Sequence, residues 1–379
     1  MDNVIFNIPL AELRQRGSQK WTHYPAEVLP AWVAEMDCRP PQRVTEVITR
    51  AMSLGDTGYS EGDWYAETLQ TYAKRRWQWD FDAATQAVGL PSVMHGIVHT
   101  LDHFVRPGSG VVINPPVYAA FFSFLKLGQY EIIENDLTPE GRIDLATLAD
   151  TFAGKSGSKP AAYLLCNPHN PHGTVHTREE LAAVAAVADE HDVLVISDEI
   201  HGPLVDASAT FVPYLDVAGT ENGITITSAS KAYNLPGMPA AVAVAGVNAA
   251  ERLQTMSPAV THAPSYFGIL AQQAAWDHGD AWLTQLNLEL EQNRQHLAAR
   301  LAAELPTVSY TPNKSTYLAW VDCTATGVAN PFQACLDQGL ALTPGRAFSK
   351  RAPQFARVNL GTSLEILDLV IDKMVAALG

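Results

Sequence analysis

Val193-Leu194-Val195-Ile196-Ser197-Asp198-Glu199-Ile200-His201 is a short apolar run that ends in two acids and a histidine. Its length and β-branched content read as a strand buried on both faces, the kind found in parallel sheets covered by helices. Ligands of open α/β sheets gather at the carboxyl ends of such strands, and Asp198 stands at that end. A carboxylate placed there can pair with a positively charged ligand atom, or it can serve as a helix N-cap that bonds only backbone N–H groups. Two further apolar runs, Ala161 to Leu165 and Ile224 to Ile226, stop in the same manner, and the residues directly after each of them carry chemistry.

After Ile226 comes Thr227-Ser228-Ala229-Ser230-Lys231-Ala232-Tyr233-Asn234-Leu235-Pro236-Gly237. A lysine among small hydroxyl residues at a strand end suits a Schiff base with an aldehyde cofactor, because hydroxyls and backbone N–H groups can hold the cofactor's phosphate. Pyridoxal phosphate is the leading candidate; a lysine without this company reads as a solvated surface residue. With that cofactor, Asp198 would keep the pyridinium nitrogen protonated and make the ring a better sink for a carbanion at the substrate Cα. After Leu165 comes Cys166-Asn167-Pro168-His169-Asn170-Pro171-His172-Gly173, whose two Asn-Pro steps favour a tight, non-helical loop. Asn167 is expected to project from the strand end and donate to the cofactor's phenolic oxygen, or else to form an Asx turn. Thr177-Arg178-Glu179-Glu180 then opens a helix with a capping box.

Taken in order, Asn167-Pro168-x-Asn170-Pro171-x-Gly173, Ser197-Asp198-Glu199-Ile200-His201, Ser228-Ala229-Ser230-Lys231-Ala232-Tyr233-Asn234 and Arg357-Val358-Asn359 resemble fold-type I pyridoxal-phosphate enzymes of the class I/II aminotransferase superfamily. Within it, Trp32-Val33-Ala34-Glu35-Met36-Asp37 and His201 look most like the MalY/PatB-type branch, the cystathionine β-lyases and cysteine-conjugate carbon–sulfur lyases. The resemblance covers nearly the whole chain. It implies an α/β fold with a large cofactor-binding domain, residues 41–275, around a mostly parallel sheet of seven-stranded type. Residues 1–40 and 276–379 would form a smaller α+β domain.

The same resemblance distributes roles. Lys231 would bind the cofactor and, once displaced by substrate, shuttle the Cα proton. Tyr118, after Asn114-Pro115-Pro116-Val117, would stack on the cofactor ring as the second catalytic candidate, and Asp198, Asn167 and His201 would complete its surroundings. Ser228 and Ser230 would hold the phosphate with the backbone of Val93 and Met94, where Pro91-Ser92 introduces a helix whose N-terminus suits an anion. Tyr59 would reach the phosphate from the partner subunit of a homodimer. Arg357 would bind the substrate α-carboxylate, since a guanidinium offers two parallel hydrogen bonds. Trp32 and Ala34 would line the substrate side, and no metal site is expected.

Some positions depart from the family pattern. His172 replaces a residue that is usually apolar or small, His95 stands where relatives often have proline, and residues 232–246 contain no lysine or arginine. The phosphate-binding arginine of many aminotransferases is therefore absent, with Pro239 near its place, which favours the lyase branch.

Composition agrees with a soluble enzyme built on one large core plus a smaller domain: 379 residues, 47% hydrophobic and 17% charged. A formal net charge of −15 argues against a nucleic-acid or anionic-membrane surface. Cys38, Cys166, Cys323 and Cys335 show no Cys-x-x-Cys spacing and read as buried free thiols. No apolar run approaches the roughly 18 residues of a spanning helix, so a cytoplasmic location is expected. Strands and helices alternate from Val111 to Gly246; residues 265–305 read as helical with a break at Gly279-Asp280, and 316–321 and 356–360 as strands. The expected function is a carbon–sulfur β-lyase acting on cystathionine or other S-substituted cysteines, releasing thiol, pyruvate and ammonia. An aminotransferase and a cofactor-binding regulatory protein are the alternatives.

Overall fold

The computed structural model describes residues 4–60, 63–155 and 157–379. Its central sheet has seven strands: β1 (Ala87–Leu90), β2 (Gly110–Ile113), β3 (Glu131–Glu134), β4 (Ala162–Cys166), β5 (Leu194–Asp198), β6 (Ile224–Thr227) and β7 (Ala241–Ala245). Their order is β1-β7-β6-β5-β4-β2-β3, and only β7 runs antiparallel to its neighbours.

Side chains alternate across this sheet, and both faces are covered, which is why the strands read as unbroken apolar runs. Val111, Ile113, Leu164 and Ile196 pack with Val93, Ile97 and Leu101 of the helix Val93–Phe104 on one side. Val112, Tyr163, Leu165 and Val195 pack with Leu148, Phe152, Leu181 and Val184 on the other. The helix Arg178–Glu190 starts with the expected capping box between Thr177 and Glu180.

The chain passes from β2 out to β3 and back across to β4, so the sheet changes direction between β2 and β4. That crevice is where open α/β sheets bind ligands. Register aligns Cys166 with Asp198 and Asp198 with Ile226, so the loops after β4, β5 and β6 leave the sheet side by side.

A second, antiparallel pair is formed by β8 (Leu318–Asp322) and β9 (Phe355–Asn359), with Arg357 opposite Trp320. The helices Asp280–Glu304 and Leu364–Leu378 cover it, and Leu13, Leu29 and Ala31 of the N-terminal arm join the same core. Two short strands, Leu29–Pro30 and Leu340–Ala341, pair the arm directly with this region. The helical stretch breaks at Gly279 as expected, between Tyr266–His278 and Asp280–Glu304. Among the described residues no helix is long and apolar enough to cross a membrane. All four cysteines are free and buried.

Candidate active site

A cavity of about 150 Å³ opens at the carboxyl ends of β4, β5 and β6, with Lys231, Asp198, His201, Tyr118, Ser230 and Ala34 in its walls. A larger cleft of about 790 Å³ lies between residues 139–142, 172–178 and 309–314. None of the residues expected to do chemistry lines it, so the smaller cavity is the candidate site.

Three ionisable groups at or beside this cavity have no ion-pair partner: Asp198 and Arg357 are buried, and Lys231 is half-buried. Asp198, the last residue of β5, accepts one hydrogen bond from the Ile200 backbone at 3.2 Å, and burial pushes its carboxyl up to about 7. Lys231 Nζ donates to the Ala34 carbonyl at 3.2 Å. Burial first, and then the Arg357 guanidinium, pull its amine down to about 8, against the opposing fields of Asp198 and Glu35. Arg357 lies over the Phe348 ring at 4.9 Å and is pulled down to about 10 by burial. Its Nη1 donates to Asn170 Oδ1 at 3.3 Å and its Nη2 to the Trp32 carbonyl at 3.1 Å, while its Nε has no partner. Among the described residues no carboxylate lies within 4 Å of the Arg357 guanidinium, and no cation within 4 Å of Asp198. An uncompensated buried charge costs several kcal/mol, so such a set implies a ligand that brings the missing charges. His201 is held neutral, at about 3, by burial and by Lys231 and Arg357, and its Nδ1 has no partner.

The start of the helix Val93–Phe104 supplies an anion site. Ser92 caps it through the His95 N–H, and the N–H groups of Val93 and Met94 have no acceptor within the helix. Both residues line the cavity. Pro239 also stands in its wall, with no lysine or arginine near it in sequence. These features fit pyridoxal phosphate: an amine for its aldehyde, an unpaired acid for its ring nitrogen, free N–H groups for its phosphate, and an aromatic ring, Tyr118, in the wall.

Two expectations change. Asn167 does not reach the cavity: it is fully buried, and its amide nitrogen donates to Glu199 Oε1 and the Val212 carbonyl, both at 3.1 Å. The lining asparagine is Asn170, three residues on, and it also holds Arg357. The physical reason lies in the loop: Asn167 N still bonds the Asp198 carbonyl in continuation of the sheet, so its side chain stays within the sheet's covered layers. The second Asn-Pro step was the available signal. Ser228 lines the cavity, yet its hydroxyl lies 2.8 Å from the Ala240 carbonyl and 3.0 Å from Gln272 Oε1, which leaves Ser230 as the hydroxyl free of such bonds. Tyr59, expected to serve the site of a partner subunit, is fully exposed and lies outside its own chain's cavity, which leaves that expectation as it stood. His172 is packed against Gly141 and near Trp320, outside the site, and burial keeps it neutral at about 4. His95 Nδ1 sits 2.9 Å from Ser92 Oγ.

The segment carrying Trp32 and Ala34 is tied down by residues whose roles the sequence did not reveal. Asn359 Nδ2 donates to the carbonyls of Val33 (2.7 Å) and Glu35 (2.6 Å), and Asn234 bonds both the N–H and the carbonyl of Met36. Tyr317 Oη donates to the Ala34 carbonyl at 3.0 Å. Trp32 contributes its carbonyl to Arg357, while its indole stands beside His23 and Tyr24.

Comparison with known proteins gives a consistent answer. Residues 33–374 match the family model described as aminotransferase class I and II. A candidate cystathionine beta-lyase of Mycobacterium leprae is 41% identical, covering 99% of this chain and 98% of that one. The cystathionine beta-lyase of Corynebacterium glutamicum is 30% identical, over 95% of this chain and 96% of that one. The crystal structure of a candidate PLP-dependent beta-cystathionase from Corynebacterium diphtheriae superimposes with a TM-score of 0.93 at 31% identity, covering 99% of both chains. Its fold is therefore that of the fold-type I pyridoxal-phosphate enzymes, and the chain belongs to the class I and II aminotransferase family.

Proposed function

We propose that this chain is a pyridoxal-phosphate-dependent carbon–sulfur β-lyase that cleaves cystathionine or other S-substituted L-cysteines to thiol, pyruvate and ammonia. The observation that carries the reading is the segment Trp32–Ala34, which touches the reactive amine and the buried guanidinium at once: Lys231 Nζ on the Ala34 carbonyl, Arg357 Nη2 on that of Trp32. An amino acid whose carboxylate sits on Arg357 is thereby brought to Lys231.

Bound in the cavity, pyridoxal phosphate supplies an electron sink conjugated with the substrate Cα. Arg357 binds the α-carboxylate and gains the anion its burial lacks. Lys231, its amine pulled down to about 8, keeps roughly a tenth of its population unprotonated at pH 7, far more than an ordinary lysine, and takes the Cα proton at Nζ. The electrons of the Cα–H bond become available to form a Cα–Cβ double bond, those of the Cβ–S bond leave with sulfur, which takes up a proton as thiol, and water then hydrolyses the released enamine to pyruvate and ammonia. Asp198 holds a proton at the ring nitrogen, where its carboxylate regains a counter-charge. Asn170, anchored to Arg357, and the Tyr118 ring in the wall would hold the cofactor ring between them. Val93, Met94 and Ser230 hold the phosphate, with Tyr59 contributed by the second subunit of a homodimer. The small domain, residues 1–40 and 276–379, carries Trp32 and Arg357 to the large one, residues 41–275.

The deciding experiment supplies an S-substituted L-cysteine without any keto acid. Stoichiometric thiol, pyruvate and ammonia over many turnovers support the lyase; a single turnover that stalls without free thiol and resumes with added keto acid replaces it with an aminotransferase. Mixed dimers of Tyr59→Phe and Lys231→Ala subunits test the crossing. A surviving site with normal cofactor retention supports it, and one with the retention of the Tyr59→Phe homodimer refutes it.

A further inference from the structure

Gln272 is fully buried on the helix Tyr266–His278, outside the cavity walls, and all its hydrogen-bonding capacity is used. Its Oε1 accepts from Ser228 Oγ at 3.0 Å, Ala229 N at 2.9 Å and Tyr65 Oη at 2.7 Å. Its Nε2 donates to the carbonyls of Met238 at 3.2 Å and Ala240 at 3.0 Å. One carboxamide therefore joins both ends of the stretch 228–240, the loop that carries Lys231. The single proton of Ser228 Oγ is shared between Gln272 Oε1 and the Ala240 carbonyl, 2.8 Å away. Tyr65 comes from the helix Asp63–Trp77 and stacks on Trp276 with centroids 5.4 Å apart, so the clamp is fastened to two helices of the large hydrophobic core.

We propose that Gln272, backed by Tyr65, is a positioning residue that holds the two ends of the lysine loop together and so keeps the Lys231 amine desolvated beside the Ala34 carbonyl. The inference rests on the reading of Lys231 as the reacting amine. A buried glutamine that only satisfied itself could take its partners from anywhere. Here four of the five lie in that one loop, at its two ends, and the fifth is the tyrosine that steadies the amide.

The consequence concerns the amine. Lys231 is lowered chiefly by burial, with Arg357 adding to that effect and Asp198 and Glu35 opposing it. A loop released at its base admits water to Nζ and lets the amine return toward its ordinary value. The rate then falls near neutral pH because more of the lysine is protonated, and it recovers as pH rises. A variant that is merely less stable shows no such recovery.

The test uses the full chain with Gln272→Leu, Gln272→Glu and Tyr65→Phe, and Lys231→Ala alongside. The pH midpoint for acetic-anhydride labelling of Lys231 is read by mass spectrometry on the cofactor-free full chain, where the amine is not bound to cofactor, with the Lys126 peptide as internal standard, and the pH profile of kcat is measured in parallel on the cofactor-loaded enzyme. In Gln272→Leu the labelling midpoint is expected to rise by about one pH unit and kcat at pH 7 to fall about tenfold, the same factor expressed twice. Above pH 9 kcat should return most of the way, with KM within about twofold throughout. Tyr65→Phe should shift the midpoint in the same direction by less, and Gln272→Glu, which keeps the acceptor oxygen and loses the amide donors, should fall between. A folded Gln272→Leu with unchanged midpoint and profile overturns the proposal. If Gln272→Leu does not fold, an unchanged midpoint in both Gln272→Glu and Tyr65→Phe overturns it equally. Failure of the underlying reading looks different: Lys231→Ala would then turn over normally, whatever the Gln272 variants do.

Discussion

The floor of the cavity and its outer wall are built by different means. The floor is local: Cys166 and Asp198 end two adjacent parallel strands, the Ser228–Lys231 turn follows the next, and sheet register alone sets them side by side. The wall is assembled from afar. Ala34 and Trp32 come from the N-terminal arm and Arg357 from β9, and they are joined by Asn359, Asn234 and Tyr317 through backbone carbonyls of residues 32–36. On the proposed reading the floor offers an amine and an acid to the cofactor, and the wall offers an unpaired guanidinium to the substrate. Damage to the floor should therefore abolish the cofactor chemistry, and damage to the wall should chiefly weaken substrate capture.

The sharpest break is Lys231→Ala, which should remove both the visible absorption of the lysine-bound cofactor and all turnover; an active variant with an unchanged spectrum sinks the assignment of the floor. Next is the wall. Arg357→Lys keeps the charge and loses the fork, which is worth about 1.5–3 kcal/mol, or roughly 10- to 100-fold in kcat/KM, with the cofactor spectrum intact. Unaltered kcat/KM for the amino acid would show that the carboxylate binds elsewhere.

A smaller effect separates two neighbours in one loop. Asn170→Ala should cost roughly tenfold in kcat/KM with little loss of stability, since it removes the Nη1 acceptor of Arg357 and a lining group. Asn167→Ala should instead lower stability by about 1–3 kcal/mol, because Glu199 and the Val212 carbonyl lose a buried donor. Equal loss of kcat/KM at unchanged Tm in both would erase the distinction.

The subtlest prediction lies beneath the floor. Burial raises Glu199 to about 8, against the opposing bonds from the Tyr214 N–H, Ser197 and Asn167. The folded state thus binds this proton more tightly than the unfolded state, and stability drains away as pH rises from about 4.3 through 8. Glu199→Gln keeps the acceptor oxygen and has no proton to lose. Its Tm should match the wild type near pH 4 and exceed it progressively up to pH 9, by an amount equivalent to a few kcal/mol. A constant difference across that range would mean that Glu199 is already ionised at low pH.

Much of the floor was legible in the sequence. Runs such as Val193–Asp198 are apolar without alternation because both faces are covered, and their polar ends mark where the covering stops. Lys231 and Asp198 could be placed because each sits within a few residues of a strand end. Asn167 was misplaced by three residues, since strand length and the side to which a loop residue turns depend on hydrogen bonds made after folding. Gln272 and Tyr65 carry no local signal at all. A lone glutamine in an apolar helix says nothing about which carbonyls it will meet.

By itself the sequence determined the order of strands and helices, the chemical character of the strand-end groups, and the place of the arginine near the end of the chain. These properties stem from local periodicity and residue chemistry, which act over a few positions. Only the tertiary structure decided that Arg357 has no counter-ion, that Asn170 and not Asn167 faces the cavity, and that one carboxamide closes the lysine loop. Those properties depend on which buried polar groups meet across more than thirty residues of chain, and burial, which sets their cost, exists only once the core has formed.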